Sequence, residues 1–129
     1  RLTRWLMISA LITLLVLATA VAINVFSRTT DLSERVVGTV ILYLLIGMIW
    51  GIGYLAIATR HPGAFTQAVD VSVPITNWIY FSFVTLTTVG YGDILPVSRL
   101  ARSLASLEAL IGQLYPAIII ARLVSMPRA

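Results

Sequence analysis

Three apolar runs of some twenty residues or more, and a fourth about half as long, leave this chain few folds to adopt. Residues 5–26 and 36–59 are almost wholly apolar, and 104–124 is largely so, with Glu108, Gln113 and Arg122 as its large polar side chains. At ~1.5 Å of rise per residue, each as a helix reaches across a hydrocarbon core ~30 Å thick. Water is absent there, so every backbone N–H and C=O must be satisfied within the segment, which selects helix. The fourth run, 77–86 (NWIYFSFVTL), covers only ~15 Å and cannot cross. A short helix at that depth needs protein or a wet cavity around it. Composition agrees: 59% of residues are hydrophobic and 11% charged, against roughly 25% charged in a soluble domain. Mean hydropathy is +0.97. The expected class is an all-α membrane protein.

Charge and reactive side chains narrow the function. All nine basic residues are arginine and the net charge is +4, which suits anionic headgroups and makes membrane lipid the expected partner. No basic run carries interleaved aromatics, so no nucleic acid is expected. Cysteine is absent, which excludes disulfides, thiolate metal sites and thiol nucleophiles. His61 stands alone in a His-Pro-Gly turn, and three aspartates and two glutamates are scattered. No acid–base pair or metal cluster can be assembled at useful spacing, so neither an enzyme nor a cofactor is expected.

Between the apolar runs, 27–35 (SRTTDLSER) is a short polar connection in which Asp31 or Ser33 can cap the next helix. Residues 60–76 have the Pro and Gly of an irregular surface segment; Pro74 stops what precedes it, and Thr76 or Asn77 can cap a helix starting at Trp78. Gly47 and Gly51, joined by Gly38 and Gly53, permit a neighbouring backbone to come close. The third long helix is the expected neighbour.

Between the short run and the last long one lies Thr87-Thr88-Val89-Gly90-Tyr91-Gly92-Asp93. Carbonyls aimed successively at one axis need backbone angles that alternate into the left-handed region, which glycine enters at little cost, and Gly90 and Gly92 meet that need. These seven residues, with a chance match on the order of 10⁻⁷, closely resemble the TTVGYGD selectivity filter of the tetrameric potassium channel family, here of prokaryotic type. The resemblance runs over roughly 36–124. It implies a potassium-selective channel conducting passively through a four-subunit ring, in which the carbonyls of Thr88, Val89, Gly90 and Tyr91, with the Thr88 hydroxyl, replace the ion's water, as the general account of such filters holds. Gly92, Asp93, Tyr80 and Glu108 are then filter supports. The implied organisation is an N-terminal transmembrane helix and loop (1–35), followed by a pore domain (36–129) of outer helix 36–59, turret 60–76, pore helix 77–87, filter 88–92 and inner helix 98–124.

Within that frame two departures stand out. Many relatives have paired tryptophans where this chain has Tyr80 and Phe81, and some have a glutamate at the position of Val84. Phe81 cannot donate and Val84 cannot accept a hydrogen bond. Tyr80 remains able to reach Asp93, and the expectation is a less firmly braced filter, more prone to inactivate. Glu108 lies ~140° around the inner helix from Gln113, toward the pore helix, where it must be paired, wet or protonated. It is expected to bond Ser82, Thr85 or a filter amide, or else to serve as a protonated packing residue. Gln113, Pro116 or Ala117, Ile120 and Val124 face the pore axis in this register, with Ile120 and Val124 able to close it by dewetting. Gly112 sits where many relatives have a hinge glycine, and the Pro116 ring unpairs its carbonyl, so the two share one weak turn.

Arginines do not set the orientation: with the filter outward, four lie inside and five outside. The resemblance alone implies a homotetramer in the plasma (inner) membrane. Five residues after Val124 are too few for a ligand-sensing domain, so a regulatory domain or subunit would lie outside this chain. The alternatives are the membrane subunit of a potassium uptake transporter, disfavoured by the single full motif, and a weakly selective cation channel, disfavoured by the intact Tyr91-Gly92 step.

Overall fold

The computed structural model describes residues 2–26, 32–66 and 75–124. Four helices follow in order: α1 (Leu2–Phe26), α2 (Leu32–Arg60), α3 (Ile75–Leu86) and α4 (Arg99–Val124). Among the described residues there is no strand, only an isolated antiparallel bridge between Phe65 and Pro96. Three of the helices, α1, α2 and α4, are long and apolar enough to cross a membrane; α3 is not. This is an all-α integral membrane protein.

Helix α1 is apolar on every side, and Trp5, Ile12, Val16 and Ile23 remain exposed, as suits a helix whose solvent is lipid. Its hydroxyls need no partner helix: Thr13 donates to the Ser9 carbonyl at 2.9 Å and Thr19 to that of Leu15 at 2.7 Å. It leans on α2 where Val25 fills the space left by the missing side chain of Gly38.

The other α2 glycines correct the sequence expectation. Gly47 and Gly51 admit α3, not the last long helix: a Cβ on Gly47 would lie 2.6 Å from the Phe83 ring, and one on Gly51 would lie 2.9 Å from the Ile79 Cα. A short helix enclosed at depth has to be gripped along its length, and these two positions, one turn apart, let it seat directly on the α2 backbone. The start of α3 also differs. Thr76 and Asn77 lie inside α3, which begins at Ile75, and Ser33 lies inside α2. Asp31, Pro74, Arg1 and Arg28 fall outside the described residues. Among the described residues Ser98 caps α4, its Oγ accepting the Ala101 N–H at 3.2 Å. The helix runs unbroken through Pro116.

The core is an aromatic cluster beside the α3–α4 connection. Phe65 meets Trp78 at 4.9 Å between ring centroids and Phe81 at 5.5 Å, and Tyr54 meets Phe81 at 4.9 Å, all edge to face. Residues 60–76, expected at the surface throughout, therefore contribute buried Ala64 and Phe65. Thr66 N–H to the Leu95 carbonyl (2.9 Å) and Val97 N–H to that of Ala64 (2.8 Å) pin this stretch to the chain following Asp93.

Candidate functional site

The chain leaving α3 is organised by what happens to its N–H groups. A helix end carries carbonyls with no intrahelical donor. Here Thr87 N–H bonds the Phe83 carbonyl (3.0 Å), Thr88 N–H that of Thr85 (2.9 Å), and Val89 and Gly90 N–H share that of Val84 (3.0 and 3.2 Å). Donors 87–90 all turn back onto α3. Among the described residues, no donor meets the carbonyls of Thr88, Val89, Gly90 or Tyr91. The Thr87 hydroxyl is taken by the Phe83 carbonyl at 2.6 Å.

Backbone angles supply the second half of the geometry. Thr88, Gly90 and Gly92 have φ of 60°, 58° and 81°, so every other residue is left-handed. Alternating handedness gathers successive N–H groups on one side of the chain and carbonyls on the other. Glycine accepts this conformation freely, whereas Thr88 bears the ~1–2 kcal/mol that a side chain costs there. The outer face is bare in the single chain: Val89 is 53% exposed and Tyr91 71%. A row of neutral oxygens with no internal donor is chemically a ligand set for a hard cation.

Behind this row, Tyr80 donates its phenol proton to Asp93, and that bond holds the phenol above the usual tyrosine range. The two flank a polar cavity of about 320 Å³ shared with Thr66, Asn77 and Ile94. Glu108 is fully buried, with Oε2 2.6 Å from the Tyr54 hydroxyl and Oε1 2.5 Å from Ser82 Oγ. Ser82 Oγ also lies 2.7 Å from the Gly47 carbonyl, so α2, α3 and α4 meet at one polar point. Of the partners expected for Glu108, Ser82 is realised; the Thr85 hydroxyl bonds the Phe81 carbonyl instead. Tyr54 was not expected. A phenol on an apolar helix needs a partner for its polar tip, and Glu108 is the one acid that lies within an apolar run of the sequence, so the pairing had a signal there.

One turn along α4, Gly112 is buried against the end of α3: a Cβ there would collide with the Leu86 carbonyl. The same carbonyl accepts the Tyr43 hydroxyl at 3.3 Å. Close approach thus explains this glycine, a reason separate from bending. Gln113, Pro116, Ala117, Ile120 and Val124 lie exposed along α4 of the single chain. Tyr115, between them, turns to α2 and donates to the Thr39 carbonyl at 2.8 Å.

Two apolar helices, α2 and α4, packed on a short one that ends in a stripped row of backbone oxygens, with a third apolar helix against α2, define an integral membrane protein of channel type. Comparison with known proteins agrees. The family model described as "Ion channel" matches residues 9–129, and the chain belongs to that family. It is 38% identical over 77 residues to the inward rectifier potassium channel Kirbac3.1 of Paramagnetospirillum magnetotacticum, covering 57% of this chain and 23% of that protein. It is 34% identical over 84 residues to the two pore potassium channel c of Oryza sativa subsp. japonica (65% and 18%). Over 94 residues it is 34% identical to potassium voltage-gated channel subfamily A member 5 of Rattus norvegicus (71% and 14%). The chain therefore spans less than a quarter of the length of these relatives.

Proposed function

We propose that four copies of this chain form a ring that conducts potassium passively across the plasma (inner) membrane, with the carbonyls of Thr88, Val89, Gly90 and Tyr91 and the Thr88 hydroxyl as stacked ion ligands. The observation that carries the reading is the alternation of φ at Thr88, Gly90 and Gly92, together with the diversion of donors 87–90 onto α3. It leaves oxygens in a row that one chain cannot satisfy, and a closed ring of four supplies the missing side. Potassium loses its water at modest cost when oxygens at matching distance replace it, and sodium is served less well. The three relatives described above, each named as a potassium channel, support the choice of ion.

In this reading α2 is the outer helix, α3 the pore helix and α4 the inner helix, while α1 is a peripheral helix at the rim. Gly92 and the Tyr80–Asp93 bond hold the outer end of the filter, and Glu108 braces it from behind. Gln113 rings the cavity, Ile120 and Val124 narrow its far end, and the weak turn from Gly112 to Pro116 lets α4 bend. A regulator would be another domain or subunit. The test is the reversal potential of the purified protein in lipid bilayers with potassium and sodium on opposite sides. Potassium selectivity predicts a reversal that moves about 59 mV per tenfold change in potassium and barely with sodium. Equal response to both ions would leave a weakly selective cation channel, and saturating flux without unitary currents a transporter subunit.

A further inference from the structure

Three oxygen–oxygen contacts meet at Glu108, and they need three protons. Ser82 Oγ approaches the Gly47 carbonyl and Glu108 Oε1, while the Tyr54 hydroxyl approaches Glu108 Oε2. Gly47 offers only an acceptor there, and Ser82 and Tyr54 carry one hydroxyl proton each. With Glu108 ionised, two protons serve three contacts, so one contact must set lone pair against lone pair. With Glu108 as a carboxylic acid the count closes in one way alone. Tyr54 donates to Oε2, Oε1–H donates to Ser82, and Ser82 donates to Gly47.

We infer that Glu108 is a neutral acid and the middle donor of a directional chain, Tyr54 to Glu108 to Ser82 to the Gly47 carbonyl, that holds α3 between α2 and α4. The surroundings agree. Ser82 from α3 and Tyr54 from α2 face the group, with Tyr43 of α2 also near enough to sense it, and no cation among the described residues does so. A bare carboxylate at this depth would have two donors and no counter-charge, an expensive arrangement in hydrocarbon surroundings. As an acid, Glu108 costs no more than a hydroxyl and does what a glutamine would do. Its amide N–H would replace Oε1–H toward Ser82, and its C=O would replace Oε2 toward Tyr54. Glu108 is thus a positioning residue: it ties the helix that bears the filter without contributing charge to the pore. This effect on conduction rests on the potassium-channel reading; the protonation state does not.

Infrared difference spectroscopy of the reconstituted full chain in potassium, wild type minus Glu108→Gln, reads the protonation state directly. A carboxylic acid C=O band that shifts in heavy water, absent from the variant and persisting through neutral pH, is the expected result. Tyr54→Phe keeps the acid but removes its donor, so the same band should move to higher frequency, an assignment that stands even if Glu108→Gln does not fold. Loss of a carboxylate pair of bands in place of the acid band, or an unmoved band in Tyr54→Phe, overturns the inference. In bilayers, open probability of Glu108→Gln should stay within about twofold of wild type, with the same flat response across the range where carboxylates and histidine titrate. Glu108→Ala should lose most of its sustained openings. Equal losses in Gln and Ala variants would refute the positioning role, whereas absence of potassium current from wild type would refute the channel reading and leave the infrared result standing.

Discussion

Alanine at Gly112 tests whether this glycine is present for contact or for bending. Its Cβ would collide with the Leu86 carbonyl, a backbone atom with no rotamer to change. Nor is α3 free to retreat. It is seated on α2 at Gly51, and Ser82 is tied to Gly47 and Glu108. Overpacking typically costs about 1–3 kcal/mol, and the upper part of that range applies where backbone meets backbone. Against it stands the preference of a helix for alanine over glycine, about 1 kcal/mol. The net loss is about 1–2 kcal/mol per chain, and about 4–8 kcal/mol for a ring of four if the chains add. Gly53→Ala is the control, because nothing lies within 4 Å of a Cβ there and only the helix preference operates. Thermal dissociation of the detergent-solubilised assembly, followed by gel migration or light scattering, should rank Gly53→Ala at or above wild type and Gly112→Ala several degrees below it. A purely bending role predicts a stiffer and equally stable α4 with altered gating. Gly112→Ala as stable as Gly53→Ala would show the contact argument to be mistaken.

Other predictions concern the segment after α3. Gly90→Ala and Gly92→Ala force a side chain into left-handed backbone at about 1–2 kcal/mol each and should abolish selective conduction, whereas the same change at Gly53 should leave currents intact. Tyr80→Phe removes the donor to Asp93 and should deepen inactivation, seen as a lower steady fraction of open time after a step; an unchanged fraction would mean this bond does not brace the filter. Replacing potassium by sodium should lower the dissociation temperature of the assembly, since a bound ion stabilises the state that binds it by about 2.7 kcal/mol at a hundredfold excess over its dissociation constant. Equal temperatures in the two salts would argue against ions held by these carbonyls.

Much of this was legible in the residue string. Lengths of apolar runs distinguish three crossing helices from one that cannot cross, because bilayer thickness and helical rise are fixed quantities. The glycines at 90 and 92 mark left-handed backbone, although the equal demand on Thr88 is invisible, since threonine carries no such signature. The 100° step along α4 turns Glu108 toward α3, and Ser82 is indeed there. The address of Gly47 and Gly51 could not be read. A bare stripe states that something comes close, and says nothing of whether Phe83 and Ile79 of α3 or a stretch of α4 will fill it.

What the sequence determined by itself is therefore local and periodic: which stretches are helical, which are long enough to span, and where glycines let the backbone turn left-handed. Tertiary structure decided how those parts are held. Phe65 leaves an apparently irregular loop to complete the aromatic core, Leu86 lends its carbonyl to Tyr43 while crowding Gly112, and Tyr54 finds Glu108 across two helices. Each of these depends on contacts between residues far apart in the chain, and their geometry exists only after α2, α3 and α4 have packed. The proton count at Glu108 belongs to the same category, because only the assembled helices bring three acceptors within reach of so few hydroxyls.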